Sequence, residues 1–165
     1  MLITLTGFMG SGKSTVGRMV ADALGCPFMD LDALIEKKTG RSISAIFEAD
    51  GEPDFRRLEG QVLTQTVGRY AETTAVLSLG GGTVTVPGAA ALLQEKTLCI
   101  YLQASPETLR QRLQGQAQPR PLAATDLAAL LAAREPLYRQ AAHIVLGTDG
   151  LTPDELTDEI IISCL

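Results

Sequence analysis

The apolar positions along the chain change period at regular intervals. Leu2, Ile3, Thr4, Leu5 and Thr6 form a short, nearly continuous apolar run; beyond it Val16, Met19, Val20 and Ala23 recur at helical spacing as far as Leu24. Gly25 stops that helix. Residues 26–30 predict a second strand, residues 33–38 a helix ended by Gly40, and Ser42 is a fitting N-cap for a short helix carrying Ile43, Ile46 and Phe47, which Gly51 ends. Residues 52–70 predict a longer helix with Phe55, Leu58 and Val62 on its buried stripe. A third strand over residues 75–79 runs straight into Gly80, Gly81 and Gly82. Then come a helix over residues 87–94, a strand over 97–102, and a helix opened by Ser105 with Pro106 at its first position. Asp126 reads as the cap of the next helix, whose stripe is Leu127, Leu130, Leu131 and then Arg134. A strand over 143–146 and a helix starting near Thr152 complete the chain. Five strands alternating with helices predict a three-layer α/β/α domain with a parallel sheet, its strand C-termini on one edge. A length of 165 residues fits one domain, 1–165.

Composition narrows the picture without redirecting it. Hydrophobic residues make up 45% of the chain, yet no apolar run approaches membrane-spanning length. A strand beginning at residue 2 leaves no room for a signal peptide, so a cytoplasmic protein is expected, with no membrane partner. A net charge of −5 argues against non-specific nucleic-acid binding. Cys26, Cys99 and Cys164 are widely separated and are expected to be reduced rather than to bind metal. The lone His143, at a strand start, is expected to be structural. A monomer is expected.

The chemistry concentrates at the predicted strand ends. Gly7-Phe-Met-Gly-Ser-Gly-Lys13-Ser14 has the two glycines, lysine and hydroxyl of a phosphate-binding loop, and it lies between a strand and a helix as that motif requires. Such a loop turns backbone N–H groups into one concavity and adds the positive end of a helix dipole. Lys13 can then reach the β- and γ-phosphates of a nucleoside triphosphate, and Ser14 can ligate Mg²⁺. Asp30 and Asp32 end the second strand, where open α/β sheets bind ligands; they could also be helix-capping acids. Three successive glycines at Gly80–82 permit close backbone approach. Arg134 continues an apolar stripe and needs an anionic partner, whereas Arg56 could simply pair with Glu59 one turn on. Together these residues fit a small-molecule kinase whose acceptor is itself anionic. A GTP-binding switch would need an Asn-Lys-x-Asp motif, which the chain lacks. A catalytically silent binding module sits poorly with Lys13, Asp32 and Arg120 together, whereas a gluconate kinase meets the same physical requirements.

Beyond the phosphate loop, the chain resembles the shikimate kinase family. The resemblance rests on Phe28-x-Asp30-x-Asp32-x-x-Ile35-Glu36, Gly40-x-Ser42-Ile43-x-x-Ile46-Phe47 and Gly51-Glu52-x-x-Phe55-Arg56-x-x-Glu59. It continues through Gly80-Gly81-Gly82, Arg120-Pro121-Leu122 and Arg134-x-Pro136-x-Tyr138. It implies a P-loop fold of the nucleoside-monophosphate-kinase type with sheet order 2-3-1-4-5, substrate-binding helices at about 32–62 and a mobile lid at about 113–125. The implied reaction is ATP plus shikimate to shikimate 3-phosphate plus ADP, on the way to chorismate and the aromatic amino acids. Position by position, the resemblance implies an ATP site of Gly10, Ser11, Gly12, Lys13, Ser14 and Thr15. Arg112 would pack on adenine, near a loop at 148–153, and Arg120 would act from the lid. Asp32 would be the base or orienting group, and Arg56 with Arg134 would grip the acceptor carboxylate beside Gly80, Gly81 and Gly82. Ser14 and Asp30 would serve Mg²⁺. The third strand ends Ser78-Leu79-Gly80 with no Walker-B carboxylate, so Asp30 or water must fill that role.

Overall fold

The computed structural model describes residues 1–114 and 124–164. Its five strands are β1 Leu2–Thr6, β2 Phe28–Asp30, β3 Ala75–Ser78, β4 Leu98–Gln103 and β5 Ile144–Gly147. All neighbouring strands run parallel, in the order β2-β3-β1-β4-β5. The central strand β1 is buried along its whole length, which is why its sequence is almost uninterruptedly apolar rather than alternating. Its side chains still divide by the period of two. Leu2 faces one core with Leu77, Cys99 and Tyr101. Ile3 and Leu5 face the other with Val76, Ile100 and Leu102.

Helices cover both faces. On the Ile3–Leu5 face lie α1, Lys13–Leu24, through Val16 and Val20, and α7, Pro153–Cys164, through Leu156 and Ile160. On the other lie α2 Leu31–Thr39, α3 Ile43–Arg69, α4 Ala89–Lys96 and α6 Ala124–Ala141. Helix α5, Pro106–Gln114, follows β4. Among the described residues no helix is long and apolar enough to cross a membrane.

Several expected boundaries shift for identifiable reasons. Strand β2 starts two residues later than expected, because the Cys26 amide donates to the Ala21 carbonyl and closes the end of α1. Helix α2 starts at Leu31 instead of 33 because the Asp30 side chain accepts from the amides of Asp32 and Ala33. The two helices expected on either side of Gly51 run together as α3, with Gly51 (φ 82°, ψ 170°) as a kink and Pro53 just beyond it. A left-handed φ is cheap only for glycine, and the Phe47 and Phe55 rings, 4.6 Å apart, pack together across the kink. Helix α4 begins at Ala89 rather than 87, with Gly88 as its cap. Asp126 lies inside the first turn of α6 instead of capping it, since the helix dipole favours acids at both places. A single 3₁₀ turn, Thr83–Thr85, was not anticipated.

His143 is a stitch between elements. Its Nδ1 accepts from the Cys99 amide at 3.0 Å, which leaves Nε2 to donate to the Gln94 carbonyl at 2.9 Å. All three cysteines are free thiols, Cys99 buried and the other two half-buried. Burial pushes the Cys99 thiol up to about 11, against a smaller opposing effect of the Thr4 hydroxyl. Alkylation at pH 8 is therefore expected to modify Cys26 and Cys164 in the native protein and Cys99 only after unfolding. Peptide mass spectrometry would check this; equal native labelling of Cys99 would contradict the packing of β4. The raised value also means that stability from this thiol is complete below about pH 9 and is lost as pH rises through about 11.

Candidate active site

The C-terminal edge of the sheet carries the site. Between β1 and α1 the chain turns through Gly10 (φ 85°) and Gly12 (φ 96°), a left-handed course that places the loop over the N-terminus of α1. The Lys13 ammonium donates to the carbonyls of Gly7 at 2.8 Å and Phe8 at 3.0 Å, and the side chain is largely enclosed. Ser14 Oγ donates to Asp30 Oδ2 at 2.9 Å and lies 3.3 Å from Ser78 Oγ. Asp30 thus faces two ways: one carboxylate oxygen holds the start of α2, and the other faces the phosphate loop. Ser78 stands at the end of β3 where a Walker-B acid was absent, and Asp30 on the neighbouring strand supplies the carboxylate. Hard oxygen ligands converging in this way suit Mg²⁺, which keeps waters and takes one or two protein ligands.

A cleft of about 250 Å³ joins these groups, lined among others by Lys13, Ser14, Asp30, Asp32, Gly80 and Gly81. The glycines make it narrow. A Cβ on Gly80 would stand 3.4 Å from Asp32 Oδ1 and 3.0 Å from Glu59 Oε2. One on Gly82 would lie 2.2 Å from an Arg56 nitrogen, so no other residue fits there without displacing that arginine. On Gly81 it would meet Met9 N at 3.2 Å and an Arg134 nitrogen at 3.6 Å. Arg56 and Arg134 therefore flank the glycine run, with Arg134 also 5.7 Å over the Phe8 ring. The Nε of Arg134 is buried and makes no hydrogen bond to a described residue. None of the amides of Gly80, Gly81 and Gly82 donates to another described residue either.

Arg56 does pair with Glu59, at 2.7 Å, and it remains at the site all the same. Glu59 is fully buried and also accepts from Thr83 Oγ1 at 2.8 Å. Sequence reasoning treated that carboxylate only as a partner for a surface arginine. Its place four residues after Phe55 and three before Val62, on the buried stripe, was the available signal. Arg57, by contrast, is an exposed partner of Asp54 at 2.9 Å.

Arg112 donates to the carbonyl of Gly10 at 3.2 Å and to Thr148 Oγ1 at 3.3 Å. It lines a second cavity of about 280 Å³ with Ser11, Gly12, Thr15, Leu151 and Pro153, so the 148–153 loop does meet the phosphate loop. At the base of this region Asp149 accepts from the Ser105 amide, which holds its carboxyl below the usual carboxylate range. Arg120, and most of the lid expected at about 113–125, lie outside the described residues. A groove of about 840 Å³ between α3 and α4 is away from the phosphate loop; of its arginines, Arg57 is paired with Asp54 and Arg56 with Glu59.

The sequence profile of shikimate kinases matches residues 9–165. The chain belongs to the shikimate kinase family. Among curated members, a shikimate kinase of Thermus thermophilus is 43% identical over 164 residues, covering 96% of this chain and 87% of its own. That of Mycobacterium avium is 45% identical over 161 residues, covering 95% and 89%. The structure of the Acinetobacter baumannii shikimate kinase in complex with shikimate superposes with a TM-score of 0.90 at 38% identity, covering 99% of this chain and 92% of the other. The sheet order of this family member is the one expected, 2-3-1-4-5.

Proposed function

We propose that this chain transfers the γ-phosphoryl group of ATP to the 3-hydroxyl of shikimate, giving shikimate 3-phosphate and ADP in aromatic biosynthesis. The observation that carries this reading is the flanking of Gly81 and Gly82 by Arg134 and Arg56, with Asp32 beside Gly80; Asp32, Gly80 and Gly81 line the cleft they share with the phosphate loop. The guanidinium groups bind the acceptor carboxylate, Arg134 beside Gly81 and Arg56 from its Glu59 mount. Asp32 hydrogen-bonds the acceptor hydroxyl and takes its proton as the new O–P bond forms and the bond to the ADP oxygen breaks.

Gly10, Ser11, Gly12, Lys13, Ser14 and Thr15 hold the phosphates, Lys13 by charge and the loop amides by hydrogen bonds. Arg112 packs on the adenine in the cavity it shares with Leu151 and Pro153. Ser14 and Asp30 hold Mg²⁺, which neutralises phosphate charge. Arg120 acts from a lid at about 113–125, on the family resemblance alone. The chain works as one cytoplasmic domain, 1–165, and as a monomer, without nucleic-acid or membrane partners. Phosphorus NMR of the product formed from ATP and shikimate is expected to show a phosphomonoester coupled to the ring proton at carbon 3. Phosphate on another hydroxyl, or free phosphate alone, would overturn the assignment.

A further inference from the structure

Tyr138 follows Arg134 by one turn of α6 and is fully buried. Its ring stacks on Tyr101 with centroids 5.0 Å apart. Its hydroxyl does not merely fill space: it donates to the carbonyl of Gly81. The same phenol oxygen lies within the field of the Arg134 and Arg56 guanidinium groups. Burial above all raises this phenol to about 12, so it remains a donor throughout the neutral range. Tyr101 makes the comparable contact outside the cleft, its hydroxyl donating to Glu135, which also accepts from Gln103 and Arg139.

A peptide unit is planar and trans, so holding the Gly81 carbonyl also aims the Gly82 N–H in the opposite direction. That amide has no acceptor among the described residues. Glycine backbone is otherwise the least restrained in the molecule, and here Gly81 lines the cleft with Gly80 while Gly82 follows beside Arg56. We propose that Tyr138 is a positioning residue for the acceptor: its hydroxyl fixes the Gly81–Gly82 peptide beside the Arg134 guanidinium. The inference rests on the proposed phosphorylation of shikimate. It assigns Tyr138 no contact with the reacting atoms.

Tyr138→Phe keeps the ring and its stacking on Tyr101 and removes only the hydroxyl. The KM for shikimate is expected to rise about fivefold, the loss of one buried hydrogen bond, while kcat and the KM for ATP stay within about twofold. Tyr101→Phe is the control, since it removes a hydroxyl from the same buried stack without touching Gly81. It is expected to lower Tm about as much as Tyr138→Phe does and to leave the shikimate KM within about twofold. An unchanged shikimate KM in Tyr138→Phe overturns the inference. So does an equal change in both variants, or a change in the ATP KM as large as that for shikimate. If the unmodified protein fails to phosphorylate shikimate, the functional reading falls and this inference with it; an active protein with an unmoved Tyr138→Phe removes the inference alone.

Discussion

Lys13→Met is expected to abolish phosphoryl transfer, lowering kcat by about 10²-fold or more, in line with the loss of a single preorganised charge contact. Lys13 lies at the loop mouth, and its ammonium rests on the carbonyls of Gly7 and Phe8, ready to turn to phosphate. Methionine keeps the apolar stem and removes the charge. The surrounding loop is held separately, by the Ser11 amide on Phe8 and the Val16 amide on Gly12. Tm should therefore change little while turnover disappears. A folded Lys13→Met protein with normal kcat would remove the phosphate loop from the mechanism.

Arg134→Ala is expected to raise the KM for shikimate by the equivalent of about 2–5 kcal/mol, the range for truncating one partner of a desolvated charge pair. Its Tm should hardly move, because Arg134 pairs with no carboxylate among the described residues. Arg134→Lys should recover little, since an ammonium lacks the planar two-point grip. Arg56→Ala should differ in kind. It strands the fully buried Glu59 with only the Thr83 hydroxyl, so about 3–5 kcal/mol of stability should be lost along with acceptor affinity. Steady-state kinetics beside thermal unfolding separate the two cases. Unchanged shikimate KM in both variants would place the acceptor elsewhere, and equal stability of the two would mean that Glu59 is not held by Arg56.

What the sequence revealed, and what it concealed, follows the range of the interactions concerned. The phosphate loop, the strand-ending Asp30 and Asp32 and the alternation of elements are local patterns, and all were readable from neighbouring residues. Asp30 was open in sequence to reading as a cap or as a ligand-facing acid; in the structure one carboxylate oxygen caps α2 and the other accepts from Ser14. The depth of Glu59, the 3₁₀ turn that brings Thr83 to it, and the reach of Tyr138 to Gly81 depend on packing between distant elements. Local spacing does not encode those distances. Boundaries slipped where one residue serves two elements, as the Cys26 amide does in closing α1 instead of extending β2. The nearness of Arg112 to Thr148 and Pro153 likewise depends on the fold, which brings the 148–153 loop against the phosphate loop.

The central claim is that Arg134, Arg56 and Asp32 select shikimate as the acceptor for phosphate held on the Lys13 loop. Its most direct test is coupled ADP release with ATP and Mg²⁺ in the presence of shikimate, quinate or gluconate in turn. Release should depend on shikimate and saturate with it, and gluconate, which also offers a carboxylate and hydroxyls, should be turned over far less efficiently. ADP release that ignores shikimate, or a higher kcat/KM for gluconate, would contradict the claim.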